Sequence, residues 1–276
     1  MSHRTSPEPG AAAARPPGRQ SAGRQSAGRQ SGHRLPGAVN GVIFRLTVRA
    51  TMGRKRAFIF AIAPLILIGV SALLKLTAHS PVWPPEFLGV FGFTVVIPLT
   101  ALIIGTSVIG AEIDDGSIVH LLATPVRRLS VILSKFTAAV ILTAAFGAIP
   151  EYLAGAIATG PASKLAIGLF AGALAASVIY NALFVMLSVV TSRAIAVGLL
   201  YLLVGEGLLG NLVGGVRLLS VDQYALGISN SVAHNANLHA HLTLSTAIGM
   251  GIVVTCIALA FAARRLSSFS LKGDAV

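Results

Sequence analysis

Residues 111–135 read AEIDDGSIVHLLATPVRRLSVILSK, a charged interruption in an otherwise apolar sequence. Three acids (Glu112, Asp114, Asp115), three bases (Arg127, Arg128, Lys135), a histidine and a proline fall between apolar runs at 87–110 and 136–158. Each run is longer than the roughly 20 apolar residues that a helix needs to cross a hydrocarbon core about 30 Å thick. The segment between them cannot cross, because six charges at about 2.5–3.5 kcal/mol each would cost on the order of 15 kcal/mol or more. The chain is therefore expected to cross, make one charged excursion outside the bilayer, and cross back.

Four more apolar runs lie outward from this point, at about 57–76, 165–190, 194–213 and 243–263. The whole chain of 276 residues is 54% hydrophobic and only 11% charged, too little charge to cover a soluble domain. The expected fold is an all-α membrane protein with six transmembrane helices spread over 57–263. HSPVWPPEF at 79–87, TGPASK at 159–164 and TSRA at 191–194 supply turns, the first with an interfacial tryptophan. Residues 214–241 mix glycine, asparagine and histidine with short apolar pieces, and read as one or two short helices at the surface or partly re-entrant. Pro64 should kink the first span and Pro150 the third.

The net charge of +12 is unevenly spread. Residues 1–56 hold eleven Lys/Arg against the single acid Glu8, whereas the remaining residues hold ten bases and eight acids. Residues 1–40 contain the repeat GRQSA GRQSA GRQSG and few large apolar side chains, so they read as a disordered basic cytoplasmic tail. No aromatic residues interleave with its arginines, and nucleic acid is not expected as a partner. The tail has no short apolar segment with a cleavage site, so it does not read as a secretory signal. Residues 41–56, GVIFRLTVRATMGRKR, place Arg45, Arg49 and Arg56 on one side of a helix, with Ile43, Leu46 and Ala50 opposite. This is the pattern of an amphipathic interface helix lying on lipid.

Basic residues fix the expected orientation. With six spans, eighteen bases fall on the side of the two termini and three (Lys75, Lys164, Arg217) on the other. Both termini, residues 264–276 and the 111–135 segment are then cytoplasmic, in the cell (inner or plasma) membrane.

Glu151 and Glu206 sit inside apolar runs, where a carboxylate is expensive unless partnered or wetted. They mark a possible translocation path, and Pro150 could open the helix and wet Glu151. Asn181, deep in the fourth span, reads as interhelical glue. His234, His239 and His241 form H-x4-H-x-H, but no cysteine or close carboxylate completes a metal set, so no metal is assigned. Cys256, alone, reads as a buried thiol and excludes an intramolecular disulfide. There is no G-x-x-x-x-G-K-[ST] phosphate loop; GLLGNLVGG at 207–215 lacks the lysine and suits close helix packing. No catalytic residues and no bound cofactor are expected of this chain, and energy would have to come from another polypeptide.

Within 111–135, Gly116-Ser117 reads as a helix start, Ile118, Leu121 and Leu122 as an apolar stripe, and Thr124-Pro125 as its end. The order Glu112, Gly116, Ser117, Leu121-Leu122, Pro125, Arg128, Lys135 resembles the intracellular loop of the type-2 ATP-binding-cassette (ABC) export permeases. The interface helix, the pieces between spans five and six and the basic Ala263-Arg264-Arg265 end are also similar, so the resemblance covers about 41–273. It implies a homodimeric permease subunit of an exporter, which uses ATP hydrolysed by a separate cytoplasmic ATPase. The loop helix, with Ile118, Leu121 and Leu122 in a groove and Arg127 and Arg128 beside it, would couple the two. The alternative reading is a secondary transporter or channel that uses the intramembrane glutamates, although no inverted repeat relates the two halves.

Overall fold

A computed structural model describes residues 41–51, 54–78, 82–114, 128–209 and 219–269. Those residues fall within one compact unit, Pro36–Val276. They are helical, with no strand among them. This follows from the solvent: in hydrocarbon every backbone N–H and C=O must find a partner inside its own segment. Five helical stretches are long and apolar enough to cross a membrane: Phe60–Thr77, Trp83–Ile109, Leu129–Thr159, Lys164–Val190 and Leu244–Leu266. The apolar run expected as the fifth span forms a shorter helix, Ala194–Gly207. The chain is a multi-pass helical membrane protein.

In chain order the elements are α1 (Gly41–Thr51), α2 (Arg54–Thr77) and α3 (Trp83–Phe87), which runs through a π-helical segment π1 (Leu88–Val96) into α4 (Ile97–Asp114). After the charged excursion come α5 (Arg128–Thr143), π2 (Ala144–Ala148) and α6 (Ile149–Thr159). Next are α7 (Lys164–Val190), α8 (Ala194–Leu200) with π3 (Tyr201–Leu209), α9 (Val221–Ala233), a 3₁₀ turn (Ala236–Leu238) and α10 (Leu244–Phe269).

Two prolines explain two of the π segments. Pro98 is the second residue of α4, directly after π1, and Pro150 the second of α6, directly after π2. A proline lacks the N–H for the i−4 carbonyl, and its ring clashes with that carbonyl. A wider π turn just before it relieves the clash without ending the helix. The third span therefore continues past Pro150 instead of opening there. Trp83-Pro84-Pro85 likewise starts a helix where a turn was expected, because proline is tolerated in a first helical turn. Serine and threonine hydroxyls inside the spans donate to carbonyls four residues back: Ser71 to Leu67 (2.8 Å), Thr106 to Leu102 (2.6 Å), Ser177 to Ala173 (2.7 Å).

α7 is the central post and packs against α4, α6, α9 and α10. Its N-cap is Ser163, whose Oγ accepts from the Ala166 N–H at 3.1 Å. Asn181 Nδ2 donates across to Thr143 Oγ1 at 2.8 Å, joining α7 to α5 as expected of interhelical glue. Gly168 and Gly172 form a notch into which α9 fits with its small residues Ala225, Ser229 and Ala233. A methyl group at Gly168 would come within 2.5 Å of the Ser229 carbonyl oxygen, and one at Gly172 within 2.5 Å of the Ala225 carbonyl oxygen. Such small-xxx-small faces let backbones approach closely in a membrane.

α1 packs against α5 through Thr47, Val48 and Thr51, while Arg45, Leu46 and Arg49 are exposed. Leu46 thus lies on the open side with the arginines, not on the packed face. Arg56 falls in the first turn of α2, separate from α1. Cys256, expected to be buried, is exposed on α10, at the rim of an apolar groove of about 250 Å³ lined by Ile179, Ile228, Gly251 and Ile252. A thiol is apolar enough to face hydrocarbon.

The notch gives a direct test. Gly172→Leu is expected to lower thermal stability in detergent by about 1–3 kcal/mol or more, because backbone and not a pliable side chain meets the new atoms. A variant melting within about 2 °C of the parent would show that α9 does not lie in the notch.

Candidate functional site

The residues expected to couple the chain to a motor fall largely outside the described residues: Gly116, Ser117, Ile118, Leu121, Leu122, Pro125 and Arg127 all lie in 115–127. Its flanks are described. Glu112 is in the last turn of α4, and Arg128 is the first residue of α5. Lys135, expected on the helix that follows the charged loop, belongs to α5 and is 2% exposed. Its Nζ donates to the Val108 carbonyl oxygen of α4 at 2.8 Å. This bond ties α5 to α4 about two turns in from the helix ends that flank the loop.

Glu206 has a role that its sequence position did not reveal. It lies in π3 and is 7% exposed. Its Oε1 accepts from the Tyr201 hydroxyl and the Val221 N–H, both at 2.9 Å. Its Oε2 accepts from the Ser220 hydroxyl at 2.6 Å and the Asp222 N–H at 3.3 Å. Ser220 in turn caps α9, its Oγ accepting from the Gln223 N–H at 3.4 Å. The carboxylate therefore occupies the anion position at the start of α9, where unpaired N–H groups and the positive end of the helix dipole converge. Four donors meet its charge inside the protein.

The depth of this cap follows from the notch. Ala233 and Ser229 sit by Gly168, and Ala225 by Gly172, so α9 runs antiparallel to α7. Val221 is four residues before Ala225, so the N-terminus of α9 lies about one turn beyond Gly172 along α7. Gly172 is about 12 Å along α7 from Lys164 by the helical rise. α9 is thus a half-helix that enters the membrane from the Lys164 end and stops partway. Val221–Ala233 is a short helix within the 214–241 connection, where one or two short helices at the surface or partly re-entrant were expected; residues 210–218, with Arg217, are outside the described set.

Asp222 shares this neighbourhood. Its Oδ1 is sealed from solvent with no hydrogen-bond partner. The fully buried Tyr180 hydroxyl also makes no hydrogen bond.

Glu151 and Glu206 do not form one site. Glu151 lies in the first turn of α6, fully buried, with both carboxylate oxygens lacking hydrogen-bond partners. Pro150 does not wet it, because the helix continues through π2. Its carboxyl is packed over Gly92 of π1. His234 and His239 are exposed, both in the left-handed region (φ 49° and 43°), and His241 is exposed beside them. No group of three or more metal-ligating side chains occurs among the described residues.

The described residues form a multi-pass helical bundle, with the charged 111–135 segment between its second and third long helices. The sequence model of the ABC-2 family transporter protein matches residues 19–264, nearly the whole chain, and the chain belongs to that family. It is accordingly the membrane subunit of an ABC transporter, a class that works with an ABC ATPase. No curated protein matches the chain.

The cap predicts a local effect. Glu206→Gln keeps the shape but turns one acceptor into a donor facing the Ser220 hydroxyl and the Asp222 N–H, at a cost of about 1–3 kcal/mol. Faster hydrogen exchange is expected over 221–233 with little change in α4–α5; unchanged exchange in 221–233 would contradict the cap.

Proposed function

We propose that this chain is the permease subunit of an ABC exporter. It would form a six-span homodimer, with the 111–135 loop seated in a groove of a separate cytoplasmic ATPase. The observation that carries the reading is the family match over 19–264, combined with the loop's order of Glu112, Gly116, Ser117, Leu121-Leu122, Pro125 and Arg128 at the expected place between the second and third long helices. Ile118, Leu121 and Leu122 at helical spacing suit a helix-in-groove contact, with Arg127 and Arg128 free to pair with acids on its rim. The Lys135–Val108 bond supports force transmission, since a push on the loop would move α4 and α5 together.

Six spans follow if Ala194–Leu209 crosses with the help of residues 210–213, which lie outside the described set. By the count of basic residues the termini and the loop are cytoplasmic, the protein lies in the cell membrane, and α9 enters from the outer side. In this reading 1–40 is a cytoplasmic tail, 41–56 an interface region resting on lipid, 57–263 the permease domain and 264–276 the C-terminal tail. The chain itself binds no nucleotide; ATP is used by the partner. Glu206 acts here as the fastener of a half-helix on the transport path, and not as a free ion site of the kind a secondary transporter would need.

The test is the pair Leu121→Asp and Leu122→Asp in one chain. The protein should insert and fold as the parent does but retain less than about a tenth of the bound ATPase in detergent pull-downs, as expected when a buried apolar anchor is charged. Full ATPase recovery with the double variant would rule out docking through this loop.

A further inference from the structure

We propose that Glu151 and Gly92 form a sealed proton-binding site, in which the glutamate is held as an uncharged acid and exchanges its proton only when α6 and π1 part. Glu151 is 0% exposed and neither oxygen has a hydrogen-bond partner. An ionised carboxylate with no donor, inside a membrane-spanning helix, would bear its full desolvation cost. A proton on the carboxyl removes that cost and is the simplest ligand that fits the space. Gly92 makes the close approach possible: a side chain there would occupy the volume of the carboxyl group, all three of whose heavy atoms crowd the position of a Cβ.

The surroundings offer no alternative partner. π1 and π2 carry no titratable side chain. From α2 the nearby cation is Lys75, whose Nζ donates to the Ala158 carbonyl oxygen at 2.7 Å, about two turns along α6. From α7 it is Lys164, exposed at the helix start; α3 offers only an acid, Glu86, also exposed. Tyr152, the next residue, turns its hydroxyl to the Pro161 carbonyl oxygen at 3.0 Å. None of these bonds the carboxyl. Two features make the site openable. π1 contacts α6 directly, and π2 lies at the root of α6, so the acid is flanked on both sides by π-helical turns, a form that recurs at functional sites. Release is a simple transfer: the O–H bond breaks, water takes the proton, and the carboxylate is left hydrated in the opened gap.

This proposal concerns the membrane part alone and does not depend on the ATPase-docking reading. Its test needs no motor. Dicyclohexylcarbodiimide attacks protonated carboxyls in apolar surroundings; it can approach from the lipid side, where Ile149 and Leu153 of α6 are exposed. In the full chain, peptide mass spectrometry should find Glu151 labelled at least about ten-fold more by this reagent than by a water-soluble carbodiimide. Gly92→Ala should narrow that ratio, because its methyl displaces the end of a flexible side chain from the sealed gap without meeting backbone. Glu151→Gln gives an independent readout: it should melt no lower than the parent, and higher by a margin that grows as pH rises above the ordinary carboxylate range. Equal labelling of the parent by both reagents, no labelling by either, or a Glu151→Gln chain that melts below the parent at every pH would each overturn the proposal.

Discussion

The structure hinges on a carboxylate at the start of a half-helix. A helix that begins inside a membrane leaves its first N–H groups without water to satisfy them, and α9 is such a helix. Glu206 meets that need with two oxygens and four donors, of which the Val221 and Asp222 N–H groups belong to α9 and its Ser220 partner is the N-cap. The arrangement solves two problems together, since the glutamate's own charge also needs donors at that depth. Each side would be costly alone, and together they fix where the end of π3 meets the start of α9. The antiparallel course of α9 along α7, with Gly168 and Gly172 receiving its small residues, follows from the same placement.

A second constraint is imposed by proline. Pro98 and Pro150 would break or kink long apolar helices, yet both spans continue, because a π segment precedes each. These segments lie beside one another in space as well: Gly147 of π2 faces Ile97, the first residue after π1, and Gly92 of π1 faces Glu151, just after π2. The π-helical turns of the second and third long helices are therefore gathered near one level of the bundle. That level is suited to bending when the roots of the loop move, because α4 and α5 are fastened to each other below it through Lys135 and Val108.

Much of the architecture could be read from the residues. Apolar runs of 20 or more, separated by GPAS-type turns or by charge, give helices whose ends the described structure reproduces within a few residues at Lys164–Val190 and Leu244–Leu266. The readings that differed did so for identifiable reasons. Lys135 counts as a loop charge in any hydropathy sum, but one lysine about two turns into a helix can be buried by a carbonyl on its neighbour. Pro150 signals a break only when the preceding turn cannot widen. Cys256 and Leu46 are apolar, and in a membrane protein apolar residues are as much at home on the outside as within. Glu206 was visible as an anomaly; its meaning was not, because the Ser220 cap that explains it lies fourteen residues away and is brought near only by the fold. The S-x-x-Q spacing of Ser220 and Gln223 was a local helix-start signal that could have pointed to the half-helix.

Membership of the ABC-2 transporter family makes the chain the membrane subunit of an ABC transporter, and the function proposed above gives these devices a common purpose in passing on work from a partner ATPase. The loop at 111–135 is the point of receipt in our account. The most direct measurement is to place a photo-reactive residue at position 121 in the full chain, irradiate intact membranes, and identify the cross-linked partner by mass spectrometry. The account predicts a cross-link to an ABC ATPase subunit that is lost when that subunit is absent. A cross-link formed only to lipid or to another part of this chain, with the ATPase present, would contradict it.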